Sequence, residues 1–193
     1  PACEQLSGGN DAGVAYEWSD LGWSGQSMAQ IRAVLVNDVS LGILPDVAFI
    51  PIGTPNSATP PLTATQIDGD NSTAGMRNEL AIMQYTLKSY GIPYIPWTWL
   101  PTNPATKDYN ASDSLRRAYN DSIRAMANAG LTIADFDAAL AGVTDGDGQV
   151  NMLAGSTTDN IHPNDTGNAL MAAIAKAAIG RVISPAAGKL VMS

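Results

Sequence analysis

The only histidine in the chain, His162, stands in the stretch TTDNIHPNDTG, residues 157–167, three positions after Asp159. Imidazole titrates near neutral pH without help from its surroundings, which suits it to general acid–base work. A carboxylate beside it can fix the ring's orientation and tautomer, and it stabilises the imidazolium that forms when the ring takes a proton. A gap of three residues lets both side chains converge if the loop turns between them. Pro163 stiffens the exit and biases His162 away from the α region. An arbitrary pair at this spacing is more often a loop histidine near a surface aspartate than a working dyad, so the context must decide.

The elements that would position this pair alternate along the chain. Residues 27–42 read as a helix, with Met28, Ile31, Leu35 and Val39 on one face and Gly42 as the stop. Residues 46–52, DVAFIPI, form the continuous apolar run of a buried parallel strand and end in the turn-rich GTPNSATPP. A second helix is expected over 74–91, lined by Met76, Leu80, Met83 and Leu87 and closed by Gly91. A second strand follows over 92–100, with prolines confining its pairing near its ends. A third helix spans 111–130, capped by Ser112 or Asp113 and stopped by Gly130. A third strand spans 131–137, a looser segment follows, and a last helix runs from 165 to 183. This order predicts an α/β fold, a three-layer α/β/α sandwich around a mainly parallel sheet. In such sheets sites gather at the carboxyl ends of the strands, and the loops GTPN, LPTNP and TTDNIHPN all fit that position.

Composition narrows the function classes. The chain has 193 residues, 45% of them apolar and 15% charged, with a net charge of −8. That is one domain over 1–193, too apolar and too weakly charged to be disordered. An acidic, lysine-poor surface argues against nucleic-acid binding and against adsorption to anionic membranes. Cys3 is the sole cysteine, so an internal disulfide is excluded and a zinc site lacks partners. No apolar run reaches membrane-spanning length, and PACEQLSGGN has neither the basic start nor the apolar stretch of a signal peptide. Polar residues lean to Asn, Thr, Ser and Gly, which suggests a secreted, extracellular or virion-associated setting.

In this frame, DNIHPNDTG resembles the last block of the SGNH hydrolases, the GDSL esterase/lipase family. That block reads Asp, two residues, His, Pro, Asn, two residues, Gly, matched here at Asp159, His162, Pro163, Asn164 and Gly167. LGWSGQSMAQI, 21–31, looks like the second block, whose glycine donates its backbone N–H to the oxyanion hole; Gly25 is the match. PDVAFIPIGTPN, 45–56, looks like the third block, in which an asparagine side chain completes that hole; Asn56 is the match. The blocks come in the family's order and the resemblance covers about 20–183, leaving 184–193 as a tail or extra strand. It implies a flavodoxin-like SGNH fold, a serine nucleophile, His162 as base, Asp159 as its orienting partner, and no metal or organic cofactor. The implied partner is a small-molecule or polysaccharide ester, without nucleic acid or membrane insertion, and an acetyl ester of carbohydrate suits the polar surface best.

The chain departs from the family pattern twice. The third block usually has one residue between Gly and Asn, then Asp; here Thr54 and Pro55 intervene and Ser57 follows. The first block, a strand ending in Gly-Asp-Ser, should lie some thirty residues before Gly25, and no Gly-Asp-Ser occurs. Four explanations stand open: a nucleophile on a segment upstream, which is favoured; Ser7 after a short strand; a permuted strand in GKLVMS ending at Ser193; or a degenerate hydrolase that only binds carbohydrate. Ser27 follows no apolar strand and reads as a helix N-cap.

Other features read more simply. TDGDGQV offers only Asp145 and Asp147 of a calcium-loop pattern and reads as a solvated turn. Trp97 and Trp99 suit a substrate cleft or a half-buried core about equally, and Trp18 and Trp23 share that ambiguity. Asp135 and Asp137 read as strand-end and helix-capping groups. A nucleotide-binding reading would need a glycine-rich phosphate loop with its lysine, which GTPNS lacks.

Overall fold

The computed structural model describes residues 27–50, 75–101, 113–146, 148–159 and 162–183. The described elements run α1 (Met28–Ser40), β1 (Ala48–Ile50), α2 (Met76–Ser89), β2 (Tyr94–Pro96), α3 (Asp113–Asn128), α4 (Phe136–Leu140), β3 (Ala141–Thr144), β4 (Val150–Met152) and α5 (Asp165–Ile183).

Parallel β1 and β2 pair Ala48 with Tyr94, Phe49 with Ile95 and Ile50 with Pro96. Successive strand residues point to opposite faces, so this short pair sorts two cores. Ala48 and Ile50 join Met28, Val39, Met76, Leu80, Met83, Leu87, Tyr119 and Ile123 beneath α1, α2 and α3. Phe49, Ile95 and Trp97 turn the other way, toward Phe136, Leu140, Met152, Met171 and Ala175 of α4, β4 and α5. The result is a three-layer α/β/α sandwich about a parallel sheet, as the element order predicts. Full burial of a side chain such as Leu87 or Ile123 stabilises it by roughly 1.5–3 kcal/mol. The three expected helix stops, Gly42, Gly91 and Gly130, take φ of 84°, 70° and 92°, the left-handed conformation that ends a helix without steric cost.

The expected strand over 131–137 is corrected. It survives as one parallel bridge, Trp97 to Ala134, with Thr98 N–H donating to the Ala134 carbonyl and Ala134 N–H to that of Pro96, both at 3.0 Å. The chain then turns at once into α4, because the Asp135 side chain accepts the Ala138 N–H at 3.1 Å and caps that helix. The segment read as loose holds an antiparallel hairpin, β3 with β4. Asp145 closes its turn, its Oδ1 accepting the Gln149 N–H at 2.9 Å. Asp147 lies outside the described residues. Among the described residues, no helix is long and apolar enough to cross a membrane.

A charged network ties the carboxyl end of β2 to α3 and α4. Arg116 Nε donates to Asp113 Oδ1 at 2.8 Å, and Nη1 donates to the Trp99 carbonyl at 3.1 Å and to Asp137. Arg124 reaches Asp135 through Nε at 2.8 Å and Asp137 through Nη2 at 2.7 Å. The Thr98 hydroxyl donates to Asp135 at 3.0 Å and accepts the Asp137 N–H at 2.8 Å. The Asn120 carboxamide pairs with both backbone groups of Trp99, at 2.6 and 2.8 Å. Burial works against the Asp135 carboxylate, yet Arg124, the Ala138 N–H and Thr98 together hold its carboxyl below the usual range.

Candidate active site

The histidine loop is built onto the first turn of α5. Asn164 is the N-cap: its Oδ1 accepts the N–H groups of Thr166 at 3.0 Å and Gly167 at 3.2 Å, satisfying donors that the helix leaves free. Its Nδ2 donates to the Gly155 carbonyl at 3.0 Å and its backbone N–H to that of Ser156 at 2.9 Å. One asparagine thus joins helix start, loop entry and loop exit.

Gly167 lets the helix sit this close. A Cβ there would lie 2.4 Å from the Ser156 carbonyl oxygen and 2.9 Å from Pro163 Cβ. Gly167→Ala would gain up to about 1 kcal/mol of helix propensity, but the backbone clash must shift the loop off α5, at about 1–3 kcal/mol. Urea unfolding is expected to show a net loss of stability, and a native or raised midpoint would show that the loop yields freely.

Within this frame Asp159 and His162 converge. Asp159 Oδ2 lies 2.8 Å from His162 Nδ1, and Asp159 Oδ1 accepts the His162 backbone N–H at 2.8 Å. The carboxylate therefore grips ring and main chain of the same residue. With Nδ1 carrying the proton, Nε2 is the free base. The imidazole is 77% exposed and the carboxylate 44%, so the ring's outer edge is open to a reacting group. No described residue hydrogen-bonds Nε2. Thr157 and Pro163 face each other across the loop as an antiparallel bridge. The Thr157 hydroxyl donates to the His162 carbonyl at 2.8 Å and accepts the Asp159 N–H at 3.3 Å.

The remaining sequence expectations divide. Gly25, Asn56, Ser7 and Ser193 fall outside the described residues, as do Trp18 and Trp23. Ser27 is the N-cap of α1, in a capping box with Gln30, so its hydroxyl is engaged with the helix. Trp97 and Trp99 are half-buried. Trp97 lies edge-on to Phe136 with centroids 5.0 Å apart, and Trp99 edge-on to Tyr119 at 6.4 Å, so both rings spend much of their surface on the core. Asp135 caps α4 as expected, while Asp137 is gripped by two arginines. Thr157 and the capping role of Asn164 were not anticipated. An asparagine just before a helical pattern is itself a start signal and would have found the latter.

Comparison with known proteins decides the family. The model of the GDSL-like lipase/acylhydrolase family matches residues 4–170. The chain belongs to that family. Ester hydrolysis is the chemistry that membership implies. A GDSL-like lipase from Bacteroides thetaiotaomicron superposes with a TM-score of 0.62 at 20% identity, covering 83% of this chain and 74% of that one. An alpha/beta hydrolase enzyme from the metagenome of Lake Arreo gives 0.52 at 20%, covering 83% and 71%. A variant of an acetyl-xylooligosaccharide esterase from Geobacillus gives 0.50 at 18%, covering 88% and 72%. At these identities the likeness is one of fold, and that fold is the sandwich already described. No curated protein matches the chain.

Proposed function

We propose that this GDSL-family chain is a serine ester hydrolase in which His162 is the general base and Asp159 its orienting partner. The observation that carries the reading is the 2.8 Å contact of Asp159 Oδ2 with Nδ1 on a ring whose other edge faces solvent. A serine Oγ attacks the acyl carbon while Nε2 takes its proton. The tetrahedral intermediate collapses as the imidazolium protonates the departing alkoxide, and water releases the acyl group by the same route. The Gly25 N–H and the Asn56 side chain are assigned to the oxyanion. The substrate class is an acetyl ester of carbohydrate, in keeping with a polar, acidic chain and with the acetyl-xylooligosaccharide esterase among its structural neighbours.

The test is hydrolysis of p-nitrophenyl acetate together with labelling by a serine-reactive phosphonate. Turnover is expected, and peptide mapping of the label names the serine. Acetylated xylo-oligosaccharide should be cleaved in preference to a long-chain p-nitrophenyl ester. Absence of both turnover and label from the full-length protein, any segment upstream of residue 1 included, would overturn the reading in favour of a carbohydrate-binding module on the same fold.

A further inference from the structure

We infer that Thr157 is a positioning residue for the His162–Asp159 pair, an inference that rests on the function proposed above. An imidazole 77% exposed has little packing to hold it, so its orientation must come from polar contacts. Two side chains of the same turn supply them. Asp159 holds the backbone N–H and Nδ1 of His162, each at 2.8 Å. Thr157 holds the His162 carbonyl at 2.8 Å and the Asp159 N–H at 3.3 Å. Both main-chain polar groups of His162 are thus fixed by side chains, and the residue that bears the carboxylate is fixed by the hydroxyl that holds the histidine. Thr157 is itself anchored, since it follows the buried Ser156, whose hydroxyl donates to the Leu153 carbonyl at 2.6 Å, and it bridges to Pro163. The hydroxyl closes a ring of contacts that sets where the base points.

Valine is close in shape to threonine and lacks the hydroxyl. Thr157→Val removes the hydroxyl's contacts with the His162 carbonyl, the Asp159 N–H and Asp159 Oδ1, the last at 3.2 Å, while the turn keeps its bulk. On p-nitrophenyl acetate, kcat is expected to fall about tenfold, well short of the roughly 10²–10⁴-fold that acid–base catalysis supplies as a whole. KM should stay within about twofold, because only transition-state alignment is lost. Thr157→Ser restores the hydroxyl and should recover most of the rate. The chain's single histidine also permits a direct spectroscopic reading. Nitrogen-15 shifts of the ring should show a mainly Nδ1-protonated tautomer in the native protein, a mixed population in Thr157→Val, and recovery in Thr157→Ser. If Thr157→Val does not fold, Thr157→Ala carries the same comparison. Native kcat per folded molecule with unchanged ring shifts would overturn the inference, even with a lowered Tm, since that pattern belongs to a merely structural residue. If the native protein turns over no ester, the hydrolase reading fails separately, and the ring shifts alone decide for or against Thr157.

Discussion

His162→Ala is expected to lower kcat/KM for p-nitrophenyl acetate by at least about 10³-fold. The chain holds no second histidine to act as substitute base, and the removed ring is exposed, so the protein should remain folded with native circular dichroism. Asp159→Asn is the sharper test, because it changes the chemistry and keeps the shape. The carboxamide oxygen can still accept the His162 backbone N–H, as Oδ1 does at 2.8 Å. That choice aims the NH₂ group at Nδ1, which must then accept. The proton moves to Nε2, and the ring can no longer take one from a serine. The loss is expected at about 10²–10⁴-fold. The flipped amide would set a donor against the backbone N–H and is disfavoured. Retention of activity within about threefold in Asp159→Asn would show that the pair only shapes the loop.

How much of this was legible follows from which residues act locally. Met28, Ile31, Leu35 and Val39 announce α1, and Met76, Leu80, Met83 and Leu87 announce α2, because helical spacing alone puts each set on one face; all eight pack into one core. The block from Asp159 to Gly167 was legible because its parts lie within one turn and one helix start. The strand over 131–137 was misjudged because its apolar alternation speaks for β structure while Asp135 and Asp137 obey arginines on another element. Tertiary pairing overrode local pattern there. The β3–β4 hairpin was missed because its strands are short and half-exposed, although the glycine–aspartate turn between them is a hairpin signal. Thr157 escaped because a hydroxyl's partner five residues on depends on the turn that Pro163 shapes, which spacing does not encode. The nucleophile has no such local signature: a serine is catalytic only through what the fold sets beside it.

Arg116→Ala is expected to cost about 3–5 kcal/mol of stability, the usual penalty for removing one member of a buried ion pair. The side chain is 3% exposed, Asp113 is 2% and Asp137 is 10%. Removal takes one arginine from each of two carboxylates, Asp113 keeping only the more exposed Arg117 at 3.2 Å, and it leaves the Trp99 carbonyl with the Asn120 carboxamide at 2.8 Å in place of two donors. Arg124 still reaches Asp137 at 2.7 Å, which keeps the cost near the lower end. For a domain of this size the Tm should fall by about 6–20 °C, and denaturant midpoints should move with little change in slope. Lysine at 116 keeps the charge but loses the fork that meets Asp113, Asp137 and Trp99 together, so it should rescue only in part. Arg116→Met with Asp113→Asn separates charge from shape. If burial of unpaired charge is the cause, the double variant should be more stable than Arg116→Ala, because an apolar or neutral replacement removes the desolvation cost along with the attraction. If both variants fall equally, the packing of the arginine stem between α3 and the end of β2 is what holds that corner. A midpoint within about 1 kcal/mol of native for Arg116→Ala would refute both accounts.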